Sequence, residues 1–232
     1  MRFSVLLLTW NRLSLVSQCL ESLMDTLHRP DVEVLIWDNA SNDGTREYIS
    51  RFSGLPNVFV HFHPKNIGVA PARAQLWPLA RGEIVISIDS DVIATDNLWL
   101  EKIEKMLSDS SIGLCGIDGC DIDLSFENYW ILVSEGQCDV VSGWFQAVHR
   151  RAINLGVRFD ANYGRYFFED YDLCMQVHSV GLSVICSPNI GLKHCQELSD
   201  EHPSHQWNLA RSLFDQKWKG LGLTRAEKAK KK

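Results

Sequence analysis

The chain has 232 residues, of which 45% are hydrophobic and 22% are charged, and its formal net charge at pH 7 is −6. This length and composition are those of a globular protein that buries a full core, and the negative charge excludes a general attraction to nucleic acid or anionic lipid. Only the last eight residues, RAEKAKKK, are strongly basic.

Cysteine usage and the lengths of the apolar runs indicate a cytoplasmic protein. The seven cysteines are odd in number, lack CxxC spacing and mostly lie in apolar runs, which is typical of reduced thiols. Asn11 and Arg12 interrupt the first apolar run and no small-residue cleavage site follows, so we expect no signal peptide. No run reaches the roughly 18 apolar residues of a membrane span. At most, we expect peripheral contact with the inner face of a membrane.

The first part of the chain alternates strand and helix patterns. Apolar, β-branched runs predict strands at 3–9, 32–39, 57–63 and 83–89. Between them, apolar residues at helical spacing predict helices within 13–27, 40–52 and 66–80. This alternation predicts an α/β fold with a mostly parallel, doubly wound sheet and right-handed crossovers.

From about residue 113 the alternation is less regular. Shorter strands are predicted within 113–124, 138–150 and 182–188, and helices over 167–181 and 205–218. No repeat or low-complexity linker separates this part from the first, so we expect one domain over 1–220. Residues 221–232 are expected to form a disordered basic tail.

Short polar residues follow each of the first four predicted strands: Thr9 and Asn11, then Asp38 and Asn39, then Asn66, then Asp89 and Asp91. Sheets of this kind bind ligands outside the carboxyl ends of their strands. Asp89 and Asp91 would point to the same side, and two like charges so close repel unless a proton or cation lies between them. The pattern predicts a nucleotide-type crevice. The two aspartates either bind a cation or are unrelated surface acids.

Four motifs, in order and on the predicted elements, resemble family 2 of the glycosyltransferases with the GT-A fold, over roughly residues 3–195. They are LLLTWNR with IWDNASNDGT, then NIGVAPARA, SIDSDV and FFEDYDLCMQVHSVG. The last three are similar to the family's N-x-G-x-x-x-A-R-N, D-x-D and E-D-x-D-L. The resemblance implies a GT-A-type domain with a smaller mixed acceptor-side region. It divides the chain into a nucleotide-binding half (about 1–112), an acceptor-side half (about 113–200) and a terminal helix (about 204–219).

The resemblance implies a donor site for a nucleoside diphosphate sugar, which we expect to be a UDP-sugar. Asp38 would hold the nucleobase, and Asp91 would hold the Mn²⁺ or Mg²⁺ that neutralises the departing diphosphate. His194 would be a further metal ligand, although a lone histidine is more often structural. Arg73 would contact the nucleotide or brace the D-x-D loop, unless it forms an ordinary surface ion pair. The expected nucleotide- and donor-binding residues are Thr9, Asn11, Arg12, Asp38, Asn66, Gly68, Arg73, Asp89 and Ser90.

The resemblance also implies transfer of the sugar with inversion to an acceptor hydroxyl. Asp170 would take the hydroxyl proton as general base, and Glu169 would orient the base or the acceptor. Acids are also favoured in the first turn of any helix, and Asp172 is expected to face elsewhere. Gly143 and Trp144 are expected on the acceptor and sugar side, with Trp144 either stacking on a sugar or packing in the core.

Two departures and three alternatives complete the interpretation. Ala74 stands where the family has asparagine, and the Q-x-x-R-W of processive synthases is absent, which favours single addition over polymerisation. A nucleotidyltransferase would carry a glycine-rich loop after the first strand, which is missing here. A non-catalytic module that binds a nucleotide sugar or a glycan would be expected to lack the base or the metal site. Glycosylation of a polyanion guided by the lysine tail is disfavoured by the net charge.

The expected partners are the donor and a hydroxyl-bearing acceptor such as a glycan or lipid-linked sugar, without an extended nucleic-acid surface. The terminal helix carries an apolar side followed by the lysine tail: Trp207, Ala210, Phe214 and Trp218. This pattern allows weak membrane association or, as we favour, packing onto the domain.

Overall fold

The computed structural model describes residues 1–122, 130–195 and 204–229. Its strands are β1 (Phe3–Thr9), β2 (Val32–Asp38), β3 (Val58–Phe62), β4 (Ile84–Asp89), β5 (Val92–Ala94), β6 (Ile112–Gly116), β7 (Gly119–Ile122), β8 (Trp130–Val133), β9 (Gly136–Cys138), β10 (Val140–Val141), β11 (Phe145–His149), β12 (Ser183–Cys186) and β13 (Leu192–His194). Its α-helices are α1 (Leu13–Ser22), α2 (Met24–Leu27), α3 (Thr45–Ser50), α4 (Val69–Leu76), α5 (Trp99–Leu107), α6 (Arg150–Asn154), α7 (Glu169–Ser179), α8 (Ser204–Trp218) and α9 (Arg225–Ala229). Parts of the predicted acceptor-side half (123–129 and 196–200) and of the tail (230–232) lie outside the described residues.

The main sheet has the strand order β3-β2-β1-β4-β11-β6-β12-β9. Strands β3, β2, β1 and β4 run parallel, as do β6 and β12. Strand β11 is antiparallel to both β4 and β6, and so joins the first part of the chain to the second. The predicted nucleotide-binding and acceptor-side halves therefore share one sheet, and a division at about residue 112 stays a prediction.

Both faces of this sheet are covered, which explains why its strands read as continuous apolar runs. In β1, Val5 and Leu7 are buried in one core cluster, whereas Leu6 is buried in the cluster on the opposite face. This alternation is the two-residue period of a strand. The carboxyl ends of β1, β2 and β4 consequently meet at one edge of the sheet.

Helix α8 extends the core at the end of the chain. Ala210, Phe214 and Trp218 are buried in the same cluster as Leu6. This is the packing onto the domain that the sequence favoured over a membrane-facing helix. In the described residues, no helix combines the length and the apolarity required to cross a bilayer.

Two sequence predictions about helices need correction. The helix predicted over 13–27 is two helices, because α1 ends at Ser22 and α2 begins at Met24, with Leu23 between them. The tail predicted to be disordered from residue 221 is ordered as far as the described residues reach. Thr224 is buried, and the backbone N–H of Arg225 donates to Asp139 at 2.8 Å. Composition alone showed the basic residues of the tail but not their distant acidic partner.

Candidate active site

The carboxyl ends of β1, β2 and β4 lie side by side, as the sequence predicted. Thr9 is opposite Asp38 across the β1–β2 pair, and Leu8 is opposite Asp89 across the β1–β4 pair. The Asp89 side chain keeps 40% of its surface exposed. Parallel pairing thus places Asp38 and Asp89, two of the expected nucleotide- and donor-binding residues, in one row.

Asp38, predicted to hold the nucleobase, is completely buried. Its carboxylate oxygens accept the backbone N–H of Ser41 at 3.2 and 3.3 Å, and Nε of Arg46 lies 3.4 Å away. A carboxylate at the end of a strand that accepts such an N–H stabilises the following turn. The structure therefore places Asp38 as an anchor of that turn, with Arg46 nearer to solvent.

Residues of the β1–α1 turn also hold that neighbouring turn. Asn11 donates its N–H to the hydroxyl of Ser41 at 2.7 Å and accepts the N–H of Asn42 at 2.8 Å. Arg12 lies with one guanidinium nitrogen 3.9 Å from Asp91. Thr9 is buried, and its hydroxyl finds no hydrogen-bond partner among the described residues.

Asn66 and Gly68 connect the start of α4 to the rest of the site. The side chain of Asn66 accepts the amide of Asn39 at 3.0 Å and the N–H of Gly68 at 2.9 Å. Gly68 has φ +90°, and a Cβ there would lie 2.7 Å from Cα of Arg165, so the position requires glycine. The loop carbonyls of Arg165 and Gly164 accept the first N–H groups of α4.

Asp89, Asp91 and His194 form a cluster that fits a divalent cation. One ligand atom of each lies within 4.8 Å of the others. Strand β13 pairs with β5 so that His194 is opposite Val92, and Nε2 of His194 lies 3.2 Å from Oδ1 of Asp91. That oxygen is buried without a hydrogen bond of good geometry among the described residues. Carboxylate oxygens with one imidazole suit several divalent cations, so the donor set fits a metal without choosing one.

The charge of Asp91 dominates the environment of His194. Burial lowers the pKa of the imidazole, but the close contact with Asp91 and the negative charges of Asp91, Asp89 and Asp118 outweigh burial and raise the pKa above its ordinary value. Ser90 and Asp91 lie in the turn between β4 and β5, where the carbonyl of Asp91 accepts the N–H of Cys195 at 2.8 Å. The cluster is thus fixed by strand pairing on both sides.

Trp144 stacks on His194 and fixes the orientation of its ring. The two rings are 5.0 Å apart and 5° from parallel. Nε1 of Trp144 donates to Asp118 at 2.7 Å, and its carbonyl accepts the N–H of Asp89 at 3.0 Å. One face of this indole, expected against a sugar or in the core, is therefore occupied by the candidate metal ligand. Asp118 was not singled out from the sequence.

Arg73 is the buried centre of the site, with 2% of its surface exposed. It donates to Asp89 at 2.7 Å, to the carbonyl of Gly143 at 2.9 Å and to Glu169 at 3.3 Å. An exposed ion pair would not be buried in this way. Arg73 connects the D-x-D strand, the β10–β11 turn and α7, and its contact with a nucleotide stays a prediction.

Glu169 and Asp170 begin α7 after an unusual backbone turn. Phe167 and Phe168 have φ values of 78° and 65°, a left-handed conformation rare for aromatic residues. Oδ1 of Asp170 accepts the N–H of Tyr171 at 2.9 Å. Such strained backbone is found where the surroundings hold it, often at functional sites.

Gly143 lies directly against the Asp170 side chain. A Cβ at Gly143 would lie 2.8 Å from Cβ and 2.9 Å from Oδ2 of Asp170, closer than any side chain tolerates. Only glycine therefore leaves the carboxylate in this position. The sequence placed both residues in the site, but not in contact.

The pKa values of Glu169 and Asp170 are both raised above those of ordinary carboxyl groups. Burial, together with the charge of Asp170, raises the pKa of Glu169, and Arg73 opposes the shift only in part. Burial also raises the pKa of Asp170 against the opposing effect of the Tyr171 N–H and of Arg73. Oε2 of Glu169 is buried without a hydrogen bond among the described residues. The pair is thus poised to hold or accept a proton.

Asp172 faces away from this pair, as expected. It is completely buried and accepts the hydroxyl of Tyr163 at 3.0 Å and Nε1 of Trp218 at 2.7 Å. Lys217 lies 2.8 Å from the same carboxylate. Asp172 therefore ties α8 to α7.

A cavity of about 420 Å³ joins the candidate metal cluster to the acids of α7. Its polar wall consists of Arg73, Asp89, Glu169, Asp170 and His194. Its apolar wall is aromatic and includes Tyr166, Phe167, Phe168, Tyr171 and Trp207. The sequence located the polar wall. Phe167, Phe168 and Tyr171 of the aromatic wall lie within the quoted FFEDYDL motif but were not singled out, and Trp207 is added by α8.

A sequence profile described as Glycosyl transferase family 2 matches residues 4–170, most of the chain. The chain belongs to this family. The matched residues include the expected nucleotide- and donor-binding residues from Thr9 to Asp91 and end at Asp170, whereas His194 lies outside them. The expected glycosyltransferase class is therefore confirmed at the level of the family.

A relative of this chain carries the name of a glycosyltransferase. The uncharacterized glycosyltransferase YfnE of Bacillus subtilis (strain 168) is 24% identical over 88% of this chain. The chain spans 66% of the length of YfnE, just under two thirds.

Two solved structures share the fold. A mannosyltransferase from Pyrobaculum calidifontis, in complex with GDP-Man and Mn²⁺, superposes with a TM-score of 0.68 at 20% identity, covering 91% of this chain and 61% of that one. Residues 1–349 of S. aureus TarS, in complex with UDP-GlcNAc, superpose with a TM-score of 0.66 at 16% identity, covering 92% and 65%. The predicted GT-A-type α/β fold is confirmed.

Proposed function

We propose that the chain transfers a single sugar from a nucleoside diphosphate sugar to an acceptor hydroxyl, with inversion and with a divalent cation. The observation that carries this proposal is one cavity that is lined both by Asp89 and His194 of the candidate metal cluster and by Glu169 and Asp170 of α7. A departing diphosphate needs positive charge on one side of the sugar carbon, and an attacking hydroxyl needs a base on the other side. The residues that line this cavity include candidates for both roles.

Asp91 and His194 would hold Mn²⁺ or Mg²⁺, with Asp89 beside them. The bound cation would supply positive charge to the departing diphosphate. The buried, poorly satisfied Oδ1 of Asp91 supports this assignment, since a buried carboxylate oxygen without a partner is costly. Trp144 would keep the imidazole oriented through their stacked rings.

Arg73 would position Asp89 for donor binding while it keeps its hydrogen bonds to Asp89 and Glu169. Its hydrogen bond to Oδ1 of Asp89 holds that side chain at the end of β4. The other oxygen of Asp89 would then contact the ribose or the metal shell. Because Asp38 is buried, we infer that it shapes the nucleobase end through the turn it anchors.

Asp170 would accept the proton of the acceptor hydroxyl. Its pKa is raised by burial, which brings a carboxylate closer to the proton affinity that general-base catalysis near neutral pH requires. Gly143 gives the Asp170 carboxylate room to lie against the β10–β11 turn, and Glu169 would orient the acceptor beside it. Attack from this side, opposite the diphosphate, would invert the anomeric carbon.

The nucleobase is proposed as uracil from the resemblance of the DNAS motif. The two structural neighbours do not choose the base, since one was solved with GDP-Man and the other with UDP-GlcNAc. The acceptor is proposed as a hydroxyl-bearing glycan or glycoconjugate.

The test is a panel of UDP- and GDP-sugars incubated with the purified chain and Mn²⁺, with release of nucleoside diphosphate as the readout. We expect one donor to be turned over, with water as acceptor if no better one is present, and turnover to stop when the metal is chelated. NMR of the released sugar gives its anomeric configuration. Retention of configuration would contradict the inverting mechanism, and metal-independent turnover would contradict the cation site.

A further inference from the structure

Trp207 lies on the cavity wall but outside the part of the chain that the family profile matches. The profile ends at residue 170, whereas Trp207 comes from α8. It lines the same cavity as Glu169 and Asp170.

The position of Trp207 is set by contacts on two sides. Its ring packs edge-on against Phe168, with 5.6 Å between centroids, and the guanidinium of Arg211 lies 5.2 Å from its centre. Phe168 immediately precedes the acid pair and also contacts Phe214 of α8 at 5.3 Å. Trp207 is thus held next to the proposed base and remains partly exposed in the cavity.

The end of α8 is locked to α7, so the wall is not a loose element. Trp218 donates to the buried Asp172 at 2.7 Å, and Lys217 contacts Asp160 at 3.2 Å in addition to Asp172. Truncating one partner of such a buried charged group is costly. The indole of Trp207 therefore presents a pre-positioned surface.

We propose that Trp207 is an acceptor-specificity residue that stacks on the pyranose ring of a carbohydrate acceptor. This inference rests on the proposed function. A sugar has apolar C–H faces and a rim of hydroxyls, and a rigid aromatic ring offers a large apolar surface at low entropic cost. Oε2 of Glu169, buried and unpartnered among the described residues, would accept a hydroxyl of the same ring. A polyprenyl chain would cover the aromatic wall but leave that oxygen without a donor.

The test measures binding of methyl glycosides of glucose, galactose, mannose and N-acetylglucosamine by saturation-transfer NMR, with nucleoside diphosphate and Mn²⁺ bound. Trp207→Phe keeps an aromatic face, and Trp207→Leu keeps apolar volume without one. The matched control is Leu209→Ala, an exposed position on the same helix. We expect at least one glycoside to bind the wild type, about tenfold or more weaker binding to Trp207→Leu, and near wild-type binding to Trp207→Phe and the control.

Nucleotide affinity, measured in parallel by calorimetry, separates the two proposals. We expect it to be the same in all four proteins. If no nucleotide binds the wild type, the proposed function fails. If nucleotide binds but no glycoside does, or if Trp207→Leu binds glycosides like the wild type, this inference alone is overturned. Saturable binding of a polyprenyl phosphate in detergent, in place of the glycosides, would also overturn it.

Discussion

The guanidinium of Arg73 donates a 2.7 Å hydrogen bond to Oδ1 of Asp89 and connects the donor side of the cavity to its acid pair. Through a second nitrogen the same side chain reaches Glu169 at 3.3 Å. The first contact belongs to β4 and the second to α7. A change at Arg73 should therefore be felt at both ends of the site.

Arg73→Lys is expected to destabilise the protein by about 2–4 kcal/mol and to weaken nucleotide binding. A lysine ammonium cannot reproduce the planar fork that meets three acceptors, and it leaves the buried carboxylate of Glu169 under-satisfied. Chemical denaturation and calorimetry measure the two effects. Arg51→Lys, at an exposed arginine, is the matched control and should change neither. Wild-type stability in Arg73→Lys would show that the brace is dispensable.

Gly143→Ala is expected to reduce transfer by roughly 100-fold or more while nucleotide binding is retained. The new Cβ would lie 2.9 Å from Oδ2 of Asp170 and would push the proposed base out of position. Steady-state turnover and nucleotide titration report the two properties. In Gly54→Ala, where nothing lies within 4 Å of the added Cβ, both should stay unchanged. Full activity in Gly143→Ala would mean that Asp170 need not occupy its present position.

Asp170→Asn is expected to lower transfer by about 10²–10⁴-fold, because the amide cannot take the acceptor proton. The substitution is nearly isosteric, so nucleotide and metal binding should be close to those of the wild type. Asp109→Asn, at an exposed aspartate, is the control. Transfer at a near wild-type rate in Asp170→Asn would reassign the base.

Glu169→Gln is expected to stabilise the protein at alkaline pH. The pKa of Glu169 is raised from the 4.5 of an ordinary glutamate to about 7. In the pH interval between these two values, the native state therefore binds more protons than the unfolded state. The contribution of Glu169 to stability therefore decreases as pH rises through the interval. We expect a gain of about 1–3 kcal/mol for Glu169→Gln near pH 8 and almost none near pH 5.

Urea unfolding at the two pH values measures this difference. Glu47→Gln, at an exposed glutamate in α3, is the control. Equal effects of Glu169→Gln at both pH values would show that the burial of Glu169 does not perturb its titration.

Much of the donor side was predictable because it is local in sequence. Parallel strands put their carboxyl ends together, so polar residues at four strand ends had to converge, and Asp89 and Asp91 follow one strand directly. His194 could be placed only through a resemblance. The pairing of β13 with β5, which brings it to Asp91, joins segments far apart in the chain.

The remaining features depend on contacts that no local pattern contains. Trp207 showed the spacing of an ordinary amphipathic helix, and only the packing of α8 on Phe168 places it in the cavity. Likewise, the order of the tail depends on Asp139, which sequence composition does not connect to Arg225.

The most direct test of the central claim is thermal unfolding of the wild type and Asp91→Ala with UDP, GDP and other nucleoside diphosphates, each with and without Mn²⁺. We predict that one nucleotide raises the unfolding temperature only when Mn²⁺ is present, and that Asp91→Ala removes this shift, because a ligand that binds only the native state stabilises it. Asp25→Ala, at an exposed aspartate, should keep it. Stabilisation without metal, or an undiminished shift in Asp91→Ala, would contradict the cation site. No shift with any nucleotide would contradict the donor site itself.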